Sequence, residues 1–282
     1  MPDLRDRVAL VTGASRGVGR GIAEALGEAG ATVYVTGRSV SGAPTTEGLT
    51  GTVDDTAVLV AARGGRGIAV RCDHQDDAQV EALFARLAKE QGRLDLLVNN
   101  VWGGYERYDE SFSAPFWEQG LERWQGMFAA GVRAHYTASR LAVPLMLPRK
   151  RGLIVNVSAG DRGKFLGTVM YDVAKAAVDR MAFAMGRELR AHGIAAVALH
   201  PGFTRTERVQ AYLDAHPNEG GAEVGPTETP LYSGRAVVAL AADAEILRRS
   251  GGAFRVGDLA RDYGFTDADG SQPEAFELPD LP

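Results

Sequence analysis

"RVALVTGASRGVG" (7–19) runs a short apolar stretch straight into a cluster of glycines, and its reading decides the fold. Residues 7–13 have the length and composition of a buried strand entering a glycine turn. Behind the turn Val18, Ile22, Leu26 and Ala29 recur at three or four residues, which predicts a helix ended by Gly30. Gly13, Gly17 and Gly19 allow a close backbone approach to a ligand that a β-carbon would block. The helix start supplies free N–H groups and a positive dipole end, a seat for a pyrophosphate. Ser15, Arg16 and Val18 share the turn and join the glycines as cofactor-binding candidates. Spacing alone is weak in a chain with 35 glycines, and a merely tight turn is the competing reading. The strand–turn–helix setting favours nucleotide binding.

The same alternation continues down the chain. "ATVYVTG" (31–37), "GIAVRCD" (67–73), "LDLLVNN" (94–100), "GLIVNVS" (152–158) and "IAAVALHPG" (194–202) read as strands, with one more at 252–256. Amphipathic stretches at 78–92, about 121–147, about 170–192 and 233–243 read as helices between and after them. Strand–helix alternation calls for a parallel sheet covered on both faces. The expectation is a single Rossmann-type doubly wound α/β domain over 1–282, with about seven mostly parallel strands. Two long loops interrupt the rhythm. Residues 39–52 are polar and rich in Gly, Ser, Thr and Pro, with a role the sequence leaves open. Residues 203–232 are Pro/Gly-rich with one short helical piece, a candidate substrate-side lid. Residues 257–282 form a C-terminal extension.

Composition narrows the classes. Of 282 residues 45% are apolar and 24% charged, ordinary for a globular chain, and the net charge of −5 gives no reason to expect nucleic acid as a partner. No stretch approaches the ~20 apolar residues of a membrane span, and charges at 3, 5, 6 and 7 do not suit a signal peptide. Cys72 is the single cysteine, which rules out an intramolecular disulfide and any cysteine-based metal cluster. A cytoplasmic setting is expected, with no metal.

The second strand bears on which dinucleotide is bound. An acid there would hold a ribose 2′-hydroxyl. This chain reads Gly37-Arg38 instead, with Arg16 inside the glycine loop, and two guanidinium groups suit a 2′-phosphate. NADP(H) is therefore expected in preference to NAD(H), against the plain alternative of two solvated arginines. Asp73, at the end of the third strand, could accept from an adenine amino group or cap the next helix.

"YDVAK" (171–175) follows "NVSAG" (156–160), and it sets one of only four lysines one helical turn after a tyrosine. With "TGASRGVG" (12–19), "NNVW" (99–102) and "PGFTRT" (201–206), these motifs make the chain resemble the short-chain dehydrogenase/reductase family over about 7–206. "TGRS", "RLDLLVNN", "APFWE" and "DLARDYGFTDADG" (258–270) resemble the branch containing dehydrogenase/reductase member 1 and extend the likeness to about residue 270. The resemblance implies carbonyl–alcohol interconversion. Tyr171 would be the general acid/base, Lys175 its cationic neighbour and ligand of the nicotinamide ribose, and Ser158 the residue holding the carbonyl oxygen. A nearby ammonium, together with the positive charge of oxidised nicotinamide, is expected to lower the phenol's pKa from about 10. Asn99 would support the loop lining the cofactor, Pro201-Gly202 would turn beneath the nicotinamide, and Thr204 or Thr206 would bind its carboxamide or a phosphate.

The pattern departs from that family at Val101, where an alanine is usual, and again in the long central helix. Many members carry an asparagine in the long central helix, and the matching position here is Gly131, with no asparagine anywhere from 101 to 155. A main-chain carbonyl could hold the relay water instead. Trp102, Trp117 and Trp124, with Tyr105, Tyr108, Phe112, Phe116 and Phe128, crowd the stretch after the fourth strand. They read either as an apolar wall for a small-molecule carbonyl or alcohol substrate, or as helix packing and a subunit contact. His135 and Arg133 read as structural. His74, His192, His200 and His216 show no metal-ligand spacing. The resemblance also implies a homodimer or homotetramer through the helices at 121–147 and 170–192. Two rivals remain: an NADP-binding sensor or scaffold without turnover, and a lyase or epimerase on the same scaffold.

Overall fold

The computed structural model describes residues 2–106, 114–160, 163–215 and 227–278. Seven strands, β1 (Val8–Val11), β2 (Thr32–Gly37), β3 (Arg66–Arg71), β4 (Leu96–Asn99), β5 (Gly152–Val157), β6 (Ile194–His200) and β7 (Ala253–Arg255), form one sheet in the order β3-β2-β1-β4-β5-β6-β7. Every neighbouring pair is parallel. Strand order reverses between β1 and β4, and ligands of open α/β sheets bind at such a switch point, beyond the carboxyl ends of the strands.

Side-chain alternation explains why two layers of helices are needed. In β1, Ala9 and Val11 face a core shared with Ile22 and Leu26 of α1 (Gly17–Glu28) and Val237 and Leu240 of α8 (Pro230–Ala242). Val8 and Leu10 face the opposite core, with Leu83 and Phe84 of α3 (Asp77–Gln91) and Met146 of α5 (Ala134–Met146). A parallel sheet buried on both faces has no polar side, which is why its strands read as continuous apolar runs. Ile22 and Leu26 are fully buried, and truncating either to Ala would cost ~2–5 kcal/mol.

The structure adds two helices to the expected set and divides a third. Helix α2 (Val53–Ala62) follows the 39–52 loop and starts on a capping box between Thr52 and Asp55. Helix α9 (Val256–Tyr263) follows β7 directly, and the segment after it returns along the molecule, where Tyr232 donates to the Pro273 carbonyl at 3.0 Å. The long helix expected at 121–147 comes in three parts: α4 (Leu121–Gln125), a π-helical stretch Gly126–Arg133, and α5. The wider turn falls on Gly131; such stretches recur at functional sites. Helix α6 (Val169–Leu189) and the short α7 (Glu207–Ala215) complete the elements used below.

Candidate active site

A cleft of about 840 Å³ opens along the carboxyl ends of β1 to β6. The sequence candidates Gly13, Ser15, Arg16, Gly17, Val18, Arg38, Asp73, Ser158, Tyr171, Lys175, Pro201, Gly202, Thr204 and Thr206 all line it. Two candidates do not. Gly19 packs behind the turn, where a β-carbon would fall 2.4 Å from the Gly13 carbonyl oxygen and from Asn100 Nδ2. Asn99 is fully buried and donates to Ser139 Oγ at 2.9 Å and Asn156 Oδ1 at 2.8 Å, tying β4 to β5. Its neighbour Asn100 is the one on the cleft, donating to the Thr12 and Gly13 carbonyls at 3.1 and 2.8 Å.

The phosphate end is built from the glycine turn and three segments that close on it. The Gly17 N–H, at the start of α1, donates at 2.7 Å to a Glu207 carboxylate oxygen, whose partner oxygen lies 3.6 Å from Arg20. A carboxylate there stands where a phosphate oxygen would sit, so the helix start is competent to hold an anion. Arg38 is ion-paired with Glu106. Arg16 donates to Thr46 O at 2.9 Å, Ser39 Oγ at 3.0 Å and Gly51 O at 3.2 Å, drawing the 39–52 loop over the turn. Glu47 of that loop pairs with Arg208 of α7. Asp73 takes the cleft rather than the cap: its carboxylate accepts from Gln75 N at 3.0 Å, while Asp76 caps α3. Glycine turn, helix start and paired guanidinium groups together fit a dinucleotide phosphate chain.

The chemical end lies across β5, β6 and α6. Ser158 and Lys175 are 4% and 6% exposed, and Tyr171 is half-buried. Ser158 Oγ donates to the Lys175 main-chain carbonyl at 3.2 Å, so strand and helix are stitched together behind the side chains that face the cleft. Lys175 Nζ sits 5.5 Å from the Tyr171 ring centroid and 4.0 Å over the Trp102 indole. Burial lowers Lys175 to about 8, opposed by the Asp179 charge. Burial also drives Tyr171 well above its usual 10, and the neighbouring Tyr105 hydroxyl, which accepts a hydrogen bond from it, pushes the same way. In the chain itself loss of water sets the direction, and the Lys175 ammonium is drawn over the indole.

Several polar groups are engaged with neighbouring main-chain and side-chain atoms. Thr204 hydrogen bonds to Gly202 O at 3.1 Å and Glu228 at 3.3 Å, and Thr206 Oγ1 accepts from Val209 N at 3.3 Å as α7 begins. Glu228, buried beneath the Pro201-Gly202 turn, is raised to about 7 by its loss of water. His135 contacts the Val101 carbonyl at 3.1 Å, and burial pushes it down to about 3, so it is a neutral donor there. Arg133 pairs with Asp77 on the surface. Among the described residues no group of His, Cys, Asp or Glu could hold a metal, and no helix is long and apolar enough to cross a membrane.

The aromatic stretch divides. Trp102 and Tyr105 line the cleft, while Phe116, Trp117 and Trp124 are 56%, 72% and 41% exposed outside it; Tyr108 and Phe112 lie outside the described residues, as does His216. Sequence reasoning missed Glu106 and Glu207, which carry no local signature, and also Phe276 and Leu278, by which the C-terminal segment reaches the cleft.

Fold and site define a nucleotide-dependent oxidoreductase of the Rossmann type, and the model of the short chain dehydrogenase family matches residues 7–216. The chain belongs to that family, whose chemistry is on CH–OH and C=O groups. It is 40% identical over 275 residues to dehydrogenase/reductase SDR family member 1 of Mus musculus, covering 95% of this chain and 85% of that one. A 3-oxoacyl-acyl-carrier-protein reductase of Vibrio cholerae is 31% identical over 75% of this chain and 79% of its own length. Among solved structures, a short-chain dehydrogenase of Mycobacterium thermoresistibile superposes with a TM-score of 0.80 at 26% identity, over 99% of this chain and 98% of that one.

Proposed function

We propose that the protein is an NADP(H)-dependent oxidoreductase that interconverts a ketone or aldehyde and an alcohol, with Tyr171 as general acid/base. The observation that carries this reading is that Ser158, Tyr171 and Lys175 line the same cleft as the phosphate-binding turn. When bound, the nicotinamide supplies or takes the hydride. The chain's own residues handle the proton. Tyr171, held neutral by burial, gives its phenolic proton to the substrate oxygen as the carbonyl carbon is reduced, and the same phenol takes it back in reverse. Ser158 turns its hydroxyl from the Lys175 carbonyl to that oxygen. The Lys175 ammonium offsets the negative charge left on the phenolate.

Arg38 supports the preference for a 2′-phosphate, because a phosphate can replace Glu106 as its anionic partner at the end of β2. Arg16 holds the 39–52 loop against that corner. Trp102, Tyr105, Leu166, Phe203, Val209 and Tyr212 make an apolar substrate wall. In this reading 203–232, of which 216–226 lie outside the described residues, is the lid of one domain and the described 257–278 its closing segment. A homodimer or homotetramer is supported by exposed Leu121 and Trp124 on α4 and Val169 and Val173 on α6, apolar surface that a second copy would cover. A cytoplasmic setting is supported by Cys72, the single and buried thiol.

The rival reading, an NADP-binding sensor, draws on Gly131 alone. A panel of ketones, aldehydes and alcohols assayed with NADPH and NADP⁺ separates the two. Turnover with at least one apolar carbonyl is expected; tight NADPH binding with no consumption across the panel would give the site to the rival.

A further inference from the structure

We propose that Trp102 is a positioning residue for the proton-transfer pair: its indole face holds the Lys175 ammonium and its edge fixes the Tyr171 ring, in space that Gly104 and Gly131 keep open. The proposal deepens the acid/base reading of Tyr171 and Lys175 and rests on it.

The geometry is specific. Lys175 Nζ lies 4.0 Å over the indole centroid, nearer than to any other ring it faces. The Tyr171 ring meets the indole edge-on, with centroids 5.4 Å apart and planes at 88°. A β-carbon at Gly131 would fall 2.5 Å from the indole Cε3 and Cζ3, and one at Gly104 would fall 2.3 Å from Cζ2. No real β-carbon tolerates such distances, so any side chain at either position would expel the ring. The π-helical stretch that carries Gly131 and the loop after β4 that carries Trp102 are thus fitted to each other. The asparagine that family resemblance leads one to expect at 131 would need the volume the indole fills.

The groups around Lys175 leave the indole as its main support on the cleft side. Asp179, on its own helix, is engaged with His200 of β6 at 2.9 Å. His135, from α5, is neutral and turned to Val101. Tyr171 is neutral and bonded to Tyr105, over whose ring Arg208 of α7 lies. A desolvated ammonium gains most from an aromatic face, and tryptophan offers the strongest one. Phenylalanine retains a weaker face and leucine none, so the series Trp, Phe, Leu grades the interaction without deleting the side chain.

The chain has four lysines, Lys89, Lys150, Lys164 and Lys175, so selectively ¹³C-labelled lysine in the full-length protein gives four side-chain signals, and Lys175→Met identifies the one that matters. In the parent protein burial is expected to hold the Lys175 midpoint down at about 8. Its midpoint is expected to fall by about one pH unit in Trp102→Leu, a tenfold change in the proton equilibrium, and by about half as much in Trp102→Phe. The alkaline limb of kcat/KM for carbonyl reduction should move down with it. A midpoint that stays fixed or rises in both variants would overturn the proposal, and Trp102→Phe decides alone if the leucine variant does not fold. Because the titration needs no turnover, a shifted midpoint in a protein that reduces no carbonyl would sink the acid/base reading while leaving the indole's hold on Lys175 intact.

Discussion

At the chemical end of the cleft Ser158 and Lys175 are almost fully buried, fixed by a strand, a helix and an aromatic neighbour. At the phosphate end Arg38, Glu106, Glu47, Glu207 and Arg208 keep part of their surface in water and hold separate segments together through ion pairs. Burial sets the first group permanently, because moving a buried charge means breaking the core around it. Partly exposed ion pairs are worth little each and can be exchanged for the anions of a ligand. The difference teaches a division of labour: the chemical end is preset, and at the phosphate end carboxylates occupy the partners that an incoming anion would need.

That contrast can be broken from either side. The largest effect is expected from Ser158→Ala, which should cut kcat about 100- to 1,000-fold by removing a donor to the developing oxyanion. NADPH affinity, read by fluorescence titration, should be nearly unchanged; a loss of affinity with kcat intact would reverse the assignment. Arg38→Leu should do the opposite, weakening NADPH about 10- to 100-fold through a lost charge-assisted contact while leaving NADH affinity and kcat alone. If NADH bound the parent protein as tightly as NADPH, the 2′-phosphate argument would fail.

Smaller effects sharpen the picture. Gly131→Ala forces a methyl against the Trp102 ring, an overpacking expected to cost ~1–3 kcal/mol and visible as a lower denaturation midpoint. The cost should shrink when combined with Trp102→Leu; strict additivity of the two changes would mean they do not share that space. Glu207→Gln removes the carboxylate from the Gly17 N–H, so NADP(H) should bind about two- to fivefold more tightly, the range of a single anion at a helix start. Weaker binding would show that Glu207 helps the cofactor rather than competing with it.

What the sequence revealed follows from how local each signal is. The glycine turn, the seven strands and the Tyr171–Lys175 spacing were legible because each is written in adjacent residues with a fixed period. Helix α2 was legible in principle, since Thr52 and Asp55 have capping-box spacing, but the polar loop before it masked the start. Glu106, Glu207 and Phe276 could not be read: each meets the cleft by a long-range contact that leaves no mark on its neighbours. Asn99 and Asn100 are adjacent in sequence and alternate in direction, so the one expected at the cofactor loop is buried and the next one faces the cleft. The rise of the phenol's pKa on burial could not be read either, because charge is visible in a sequence and loss of water is not.

The central claim is that Tyr171, kept protonated by burial, delivers the proton to the reduced carbonyl. It is tested most directly by NADPH oxidation with one accepted carbonyl in the parent protein and in Tyr171→Phe, alongside NADPH titration of both. Turnover should fall about 100- to 10,000-fold, the range of a single acid/base group, with cofactor affinity unchanged within about threefold. A phenylalanine variant that turned over within tenfold of the parent would contradict the account.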